Sequence, residues 1–446
     1  MLPPHLITRA LALALALALS SSAPASAPPP QPADVLAAMD AADDFFTGHN
    51  AAGDCGWTRG TYFAGAVSHY KATCGGPAGC NATLLAWIAG WAQGHNYSCA
   101  GSFNANDQAC GATYDELWAL APAPEKLALR ATLDAQLANP AVSDWNWVDA
   151  LFMALPTWMR FARDLQRQAY ADRAFQYYLF TAYGDGGPGL WSDEHGLFFR
   201  DPSYFNKTCP NGAPVFWSRG NGWAFAALVS RGSASASGTS ARVHAHARAH
   251  ASCACEISSV AARTTHTSLV ARPCSRVRKM VVLLRRPPRP ALAHYTHLPR
   301  SLATQARAID ALPAGHPYAL EFINKFRLMA AALVRVQGAD GLWRSSLLDA
   351  DEDPNPESTG TGMYTFGLAF GVRTGLLPRA AYLPAVQLGW QGLATISQQP
   401  SGMVGWCQPV GAAPGGTNAT TTSDFCVGQF LLAGAEVIKL FAAAAA

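Results

Sequence analysis

The stretch Phe322-Ile-Asn-Lys-Phe-Arg-Leu-Met-Ala-Ala-Ala-Leu-Val-Arg-Val336 decides the fold class. Its apolar residues Phe322, Phe326, Met329, Leu333 and Val336 are spaced by four, three, four and three. That spacing draws one apolar stripe along a helix, whereas a half-buried strand would alternate every second residue. The same reading predicts helices over Thr61–Ala72, Thr83–Gln93, Thr113–Leu120, Glu125–Ala138, Trp147–Ala154, Arg160–Tyr183, Ala381–Ser397 and Phe425–Phe441. Between them lie loops rich in Gly, Asp, Asn and Trp: Asn104–Cys110, Gly184–Arg200, Phe216–Trp223 and Asp340–Gly362. Helices in hairpins, with aromatic and polar residues gathered in one set of loops, predict an all-α chain. An α/α toroid and an irregular bundle both satisfy the periodicity.

Half of the 446 residues are hydrophobic and 14% are charged, which excludes an intrinsically disordered chain. The net charge of +3 hides an uneven distribution. Arg231 to Arg300 holds twelve Lys/Arg and one acid, Glu256, so the remainder carries a net −8. An acidic body is a poor nucleic-acid binder. Beyond the N-terminus no apolar run of membrane-spanning length is evident, so no membrane partner is expected after signal cleavage.

Arg9 precedes the Ala/Leu run Ala10–Leu19, and Ala23-Pro-Ala25 and Ala25-Ser-Ala27 fit a small-residue cleavage site. Residues 1–27 therefore read as an export signal, an uncleaved anchor being the alternative. Cysteine usage agrees with secretion. Three of eleven Cys (Cys253, Cys255 and Cys274) fall in the basic segment. The other eight, Cys55, Cys74, Cys80, Cys99, Cys110, Cys209, Cys407 and Cys426, show no Cys-x-x-Cys spacing and read as disulfide formers rather than zinc ligands. Asn81, Asn96, Asn206 and Asn418 head Asn-x-Ser/Thr sequons. Residues 33–446 read as one domain, interrupted at 230–304 by Ala/Arg/Ser/His-rich sequence such as His244-Ala-His-Ala-Arg-Ala-His250. That segment reads as a disordered insertion rather than a metal-binding His tract or a basic arm. Removing it rejoins two helix-like runs.

Four constellations carry candidate chemistry. In Asp144-Trp-Asn-Trp-Val-Asp149, Asp149 stands where a loop enters an apolar helix. It is either a helix-start carboxylate favoured by the dipole or a general acid raised by Trp145, Trp147 and Phe152. In Asn104-Ala-Asn-Asp-Gln108, Asp107 is either a turn residue or a second carboxylate. In Phe216-Trp-Ser-Arg-Gly-Asn-Gly-Trp223, aromatic, cationic and amide side chains alternate with glycines, as on a sugar-contacting surface. Asp340-Gly-Leu-Trp-Arg344, with Trp343, and Pro356–Gly362 could form a cleft wall. Nucleophile-elbow, Walker, zincin and EF-hand motifs are absent, so neither metal nor cofactor is expected.

Together with Trp57–Gly65, Val148–Ala154 and Leu197–Asp201, these motifs resemble the unsaturated rhamnogalacturonyl hydrolases of glycoside hydrolase family 105, relatives of the family 88 unsaturated glucuronyl hydrolases. The resemblance runs from about residue 40 to 440, broken at 230–304. It implies an (α/α)6 barrel. It also implies oligosaccharides from pectin or rhamnogalacturonan lyases, bearing a 4,5-unsaturated uronic acid at the non-reducing end. In such enzymes an acid protonates the double bond, water adds, and the hemiketal collapses. The resemblance matches Asp149 to the acid/base and Asp107 to a second acidic residue. It matches Arg200, Trp217, Arg219, Asn221, Trp223 and Trp343 to substrate contacts. Other α/α-toroid enzymes and an inactive glycan binder are the competing readings.

Overall fold

The computed structural model describes residues 29–76, 79–98, 102–120, 127–184, 187–228 and 316–442. The chain divides into two units, Met1–Ser233 with Pro299–Ala446, and Ala234–Leu298. The second unit, the export signal and the 230–304 insertion lie outside the described residues.

Twelve α-helices are described: α1 Pro32–His49, α2 Trp57–Thr73, α3 Ala82–Gly94, α4 Gly111–Leu120, α5 Leu127–Ala138, α6 Ala150–Asp164, α7 Gln168–Tyr183, α8 Ser218–Leu228, α9 Pro317–Arg335, α10 Ser358–Arg373, α11 Arg379–Gly392 and α12 Asp424–Ala442. The even-numbered helices pack in a closed cycle, each on the next, with α12 returning to α2. The odd-numbered helices lie outside this ring, α1 against α12 and α2, α7 against α6, and α11 against α10. The first unit is thus an (α/α)6 barrel of six hairpins.

The α9 stripe points inward as its spacing predicts: Phe322, Phe326, Met329 and Leu333 are buried while Leu328, off the stripe, is 52% exposed. The inner helices α8 and α10 carry no such stripe. In α8 and α10 nearly every residue is buried, and α12 is apolar and long enough to cross a membrane, yet 83% of that window lies inside the barrel.

Four local expectations change. α1 forms where no helix is expected. The run Arg160–Tyr183 breaks into α6 and α7 at Leu165–Arg167, where Gln166 takes a positive φ of 50° to reverse the hairpin. Phe216–Trp223 is largely helix rather than loop, because α8 begins at Ser218. The end of the Asp340–Gly362 loop belongs to α10, whose first turn is capped by buried Glu357: Thr359 N–H donates to Oε1 at 2.8 Å and Gly360 N–H to Oε2 at 2.6 Å.

Glycines allow the inner helices to touch backbone to backbone. A Cβ on Gly65 of α2 would run into the carbonyl of Gly428 on α12, and one on Gly428 into the carbonyl of Thr61. Gly428→Ala is therefore expected to force the α2–α12 crossing apart. A destabilisation of at least about 2 kcal/mol should appear in urea unfolding. Unchanged stability would show that the crossing relaxes freely.

Cys74 pairs with Cys80, and Cys407 with Cys426; Cys110 is also disulfide-bonded. Cys209 does not join them. Its buried thiol lies 3.3 Å from the Ser346 hydroxyl. The expectation that all eight cysteines pair is corrected at that residue.

Candidate active site

The first turns of five inner helices meet at one end of the ring. Trp57 of α2 stacks on Phe425 of α12, 5.3 Å between centroids, and meets Trp223 of α8 edge-on. Trp223 packs on Phe152 of α6 at 4.7 Å. A Cβ on Gly360 of α10 would strike Ser218 of α8. The five helix N-termini gathered here carry partial positive charge, and the carboxyl groups of Asp149, Glu357 and Asp424 stand at three of them.

Asp149 precedes α6 at this end. It stands at the N-cap position but makes no capping hydrogen bond, and its Oδ2 is buried without a hydrogen-bond partner. Asp149 thus stands at the helix start that the dipole reading expects, without adding a cap. Burial raises the carboxyl pKa to about 6, against the opposing charges of Arg200 and Arg219. The like charge that acts on it is that of Asp201.

Arg200 follows the hairpin of β1 (Trp191–Ser192) and β2 (Leu197–Phe198). Its Nε lies 3.8 Å from Asp149 Oδ2 without bonding to it, and its Nη1 donates to Asp201 Oδ2 at 2.6 Å. Asn146, Trp147, Arg200, Asp201 and Pro202 line a cleft of about 440 Å³. Asp201 and Trp147 are thus cleft residues that the sequence reading assigned no contact role. Asp201 directly follows an assigned cation, and Trp147 lies two residues before the assigned acid. Both positions could have drawn attention to them.

Asp107 sits on a 3-10 turn, Ala105–Gln108, half-buried, with the Ser102 hydroxyl donating to its carboxylate. The turn packs on α6. Gln108 anchors it there, its carbonyl accepting from Thr157 Oγ1 at 2.9 Å and its Oε1 from Trp158 Nε1 at 2.7 Å. Those anchors lie about 12 Å along α6 from Asp149.

Four residues of the expected contact surface lie buried in the fold. Trp217, Asn221, Trp223 and Trp343 are each no more than 1% exposed and offer no face to a sugar. Trp217 Nε1 donates to Gln408 Oε1 at 2.7 Å, and Trp343 Nε1 to the Leu333 carbonyl at 2.9 Å. The glycines that suggested close approach of a ligand serve helix packing. A Cβ on Gly222 would meet Met363 and Gly360 of α10. Arg219 is also buried. Its Nη1 donates to the carbonyls of Gln408 at 2.6 Å and Pro409 at 3.0 Å, and Nη2 to those of Pro409 at 3.0 Å and Gly411 at 3.2 Å. Its guanidinium lies over the Trp217 and Phe425 rings. Partly exposed aromatics at this end include Trp57, Trp147 and Phe152.

A double ring of six helical hairpins is the plan of the six-hairpin glycosidases. The chain belongs to Glycosyl Hydrolase Family 88, whose model matches residues 38–231 and 301–441. It is 30% identical over 302 residues to an unsaturated 3S-rhamnoglycuronyl hydrolase of Formosa agariphila, covering 66% of this chain and 58% of that protein. The chain thus spans somewhat over half the length of this relative. Among solved structures, it is 24% identical to a glycosyl hydrolase family 88 protein from Bacteroides vulgatus (TM-score 0.68, 92% of this chain and 100% of that one). It is equally similar to Polysaccharide Lyase BACCELL_00875 (TM-score 0.68, 24% identity, 92% and 98%). Likeness at that level speaks for the fold.

Proposed function

We propose that the protein releases a 4,5-unsaturated uronic acid from the non-reducing end of oligosaccharides by hydrating its double bond. The observation that carries this reading is the Asp149 carboxyl: buried beside the cleft residue Arg200, without a hydrogen-bond partner at Oδ2 and raised to about 6. Hydration of an enol ether needs a proton delivered to carbon, and a carboxyl that keeps its proton near neutrality can deliver it. Asp149 protonates C4, water adds at C5, and the hemiketal collapses, freeing the neighbouring sugar. The name of the Formosa relative supports unsaturated glycuronyl substrates with rhamnose as that sugar. Arg200, whose Nε has no hydrogen-bond partner, takes over from Arg219 as the cation for the uronate carboxylate. Trp147 offers its ring to a sugar face.

The Cys74–Cys80 and Cys407–Cys426 disulfides, and four sequon asparagines that are all exposed, support a secreted and glycosylated protein.

The test is the ultraviolet absorbance of the unsaturated bond, followed on a lyase-generated disaccharide. Falling absorbance with release of the neighbouring sugar is expected. Arg200→Ala should raise KM at least about tenfold. Rising absorbance on intact polysaccharide would make the protein a lyase, and binding without change would make it a glycan-binding protein.

A further inference from the structure

Asn221 is buried on the first turn of α8, and all three of its side-chain hydrogen bonds are to main chain. Oδ1 accepts the Phe198 N–H at 2.8 Å. Nδ2 donates to the Phe198 carbonyl at 2.9 Å and to the Trp217 carbonyl at 3.1 Å. The amide therefore pairs with Phe198 as a neighbouring strand would, on the edge of β2 that β1 leaves open. On the other edge the Phe199 N–H donates to the Leu190 carbonyl at 2.9 Å. Two residues beyond Phe198, the Arg200 carbonyl accepts the Val148 N–H at 2.9 Å, and Val148 is the neighbour of Asp149. The segment that carries Arg200 is thus gripped at three successive residues, and one grip comes from a side chain.

We propose that Asn221 is a positioning residue: its carboxamide fixes the 197–201 segment on the inner ring so that the Arg200 guanidinium stands beside the Asp149 carboxyl. A carboxamide suits this task because it presents one acceptor and one donor with the spacing of a peptide unit. A residue offering only one of them would leave either the N–H or the carbonyl of Phe198 buried and unmatched. The consequence for chemistry runs through charge. Arg200, Arg219 and Asp201 are the charged groups acting on Asp149, and Arg200 is the strongest of them. Displacing Arg200 removes its pull on the Asp149 proton, while Arg219 and Asp201 remain. The inference rests on the reading of Asp149 as the acid only for its activity readout.

The experiment needs no substrate. The pH dependence of thermal stability is measured in pairs with and without Asp149→Asn, and the difference within each pair reports the titration of Asp149. In Asn221→Ala that titration should move upward by on the order of one pH unit. Arg200→Ala should produce a similar shift, and Asn221→Ala should add nothing further in the Arg200→Ala background. Asn221→Ser, whose hydroxyl can keep one of the two bonds to Phe198, should give a smaller shift and serves if the alanine variant does not fold. A lower melting temperature with the Asp149 titration unmoved would overturn the proposal. So would a shift that persists without Arg200. The kcat–pH profile on the unsaturated disaccharide should move in the same direction. Failure of that profile alone, with the melting result intact, would count against the substrate reading and not against Asn221.

Discussion

Asp149→Asn is expected to abolish turnover and to make the protein more stable at neutral pH. Turnover should fall by about 10²–10⁴-fold or more, because the amide keeps the shape of the carboxyl and loses its proton. The stability effect follows from burial. The carboxyl titrates at about 6 in the folded chain against 3.8 for an unperturbed group, so between those values the folded state holds more protons than the unfolded one. Ionising Asp149 therefore opposes folding. The penalty is absent below about pH 4, grows as pH rises through 6, and is constant above that. A shift of this size corresponds to roughly 3 kcal/mol. Asn carries no such penalty, so the variant should melt higher than the parent at pH 7–8 and the gap should close towards pH 4. The same protonation sets the parent's activity profile, with kcat declining as pH rises through about 6. A variant with near-normal turnover would remove Asp149 from the mechanism and send the search first to Asp201. A variant whose melting temperature falls at every pH would show that the ionised carboxylate is a structural group.

The α9 helix and the acid were legible in the sequence for opposite reasons to those that hid α8, α10 and the contact surface. α9 has a wet side, so its four-and-three spacing shows against exposed Leu328. α10 has none. Gly360, Gly362, Gly367 and Gly371 lower its helix propensity, and only the packing they permit against α8 and α12 makes it a helix. The same ambiguity governs Trp217-Ser-Arg-Gly-Asn-Gly-Trp223. Glycine beside aromatic and polar groups describes a ligand surface and a helix–helix contact equally well, and burial, which separates them, is a property of the whole ring. Asp149 was readable because an ionisable residue among Trp145, Trp147 and Phe152 is unusual wherever it falls. That Asp201 supplies the like charge depends on the hairpin that brings Arg200 and Asp201 back to α6, a long-range contact with no local signature.

Arg219→Ala is expected to damage folding before it damages binding. Three carbonyls of the 408–411 loop lose the donors they share at 2.6 to 3.2 Å; Gln408 is buried, whereas Pro409 and Gly411 are exposed residues whose carbonyls can turn to water. The buried Gln408 acceptor left unmatched costs about 1–3 kcal/mol, and the Trp217 and Phe425 rings lose the cation that lies over them. A total loss of about 2–4 kcal/mol should appear in urea unfolding. Arg219→Lys should recover little, since one ammonium cannot fork across the Gln408, Pro409 and Gly411 carbonyls. The Cys407–Cys426 disulfide still ties the start of this loop to α12, so the barrel should remain and the loop should open. The opening also reaches the acid. Arg219 is one of the two cations opposing the burial effect on Asp149, and without it the carboxyl should hold its proton to higher pH. The contact role first suggested by the motif predicts the reverse pattern: unchanged unfolding, an unmoved kcat–pH profile and a raised KM. Those three results together would return Arg219 to the substrate surface, and would require its guanidinium to leave the loop carbonyls when the oligosaccharide binds.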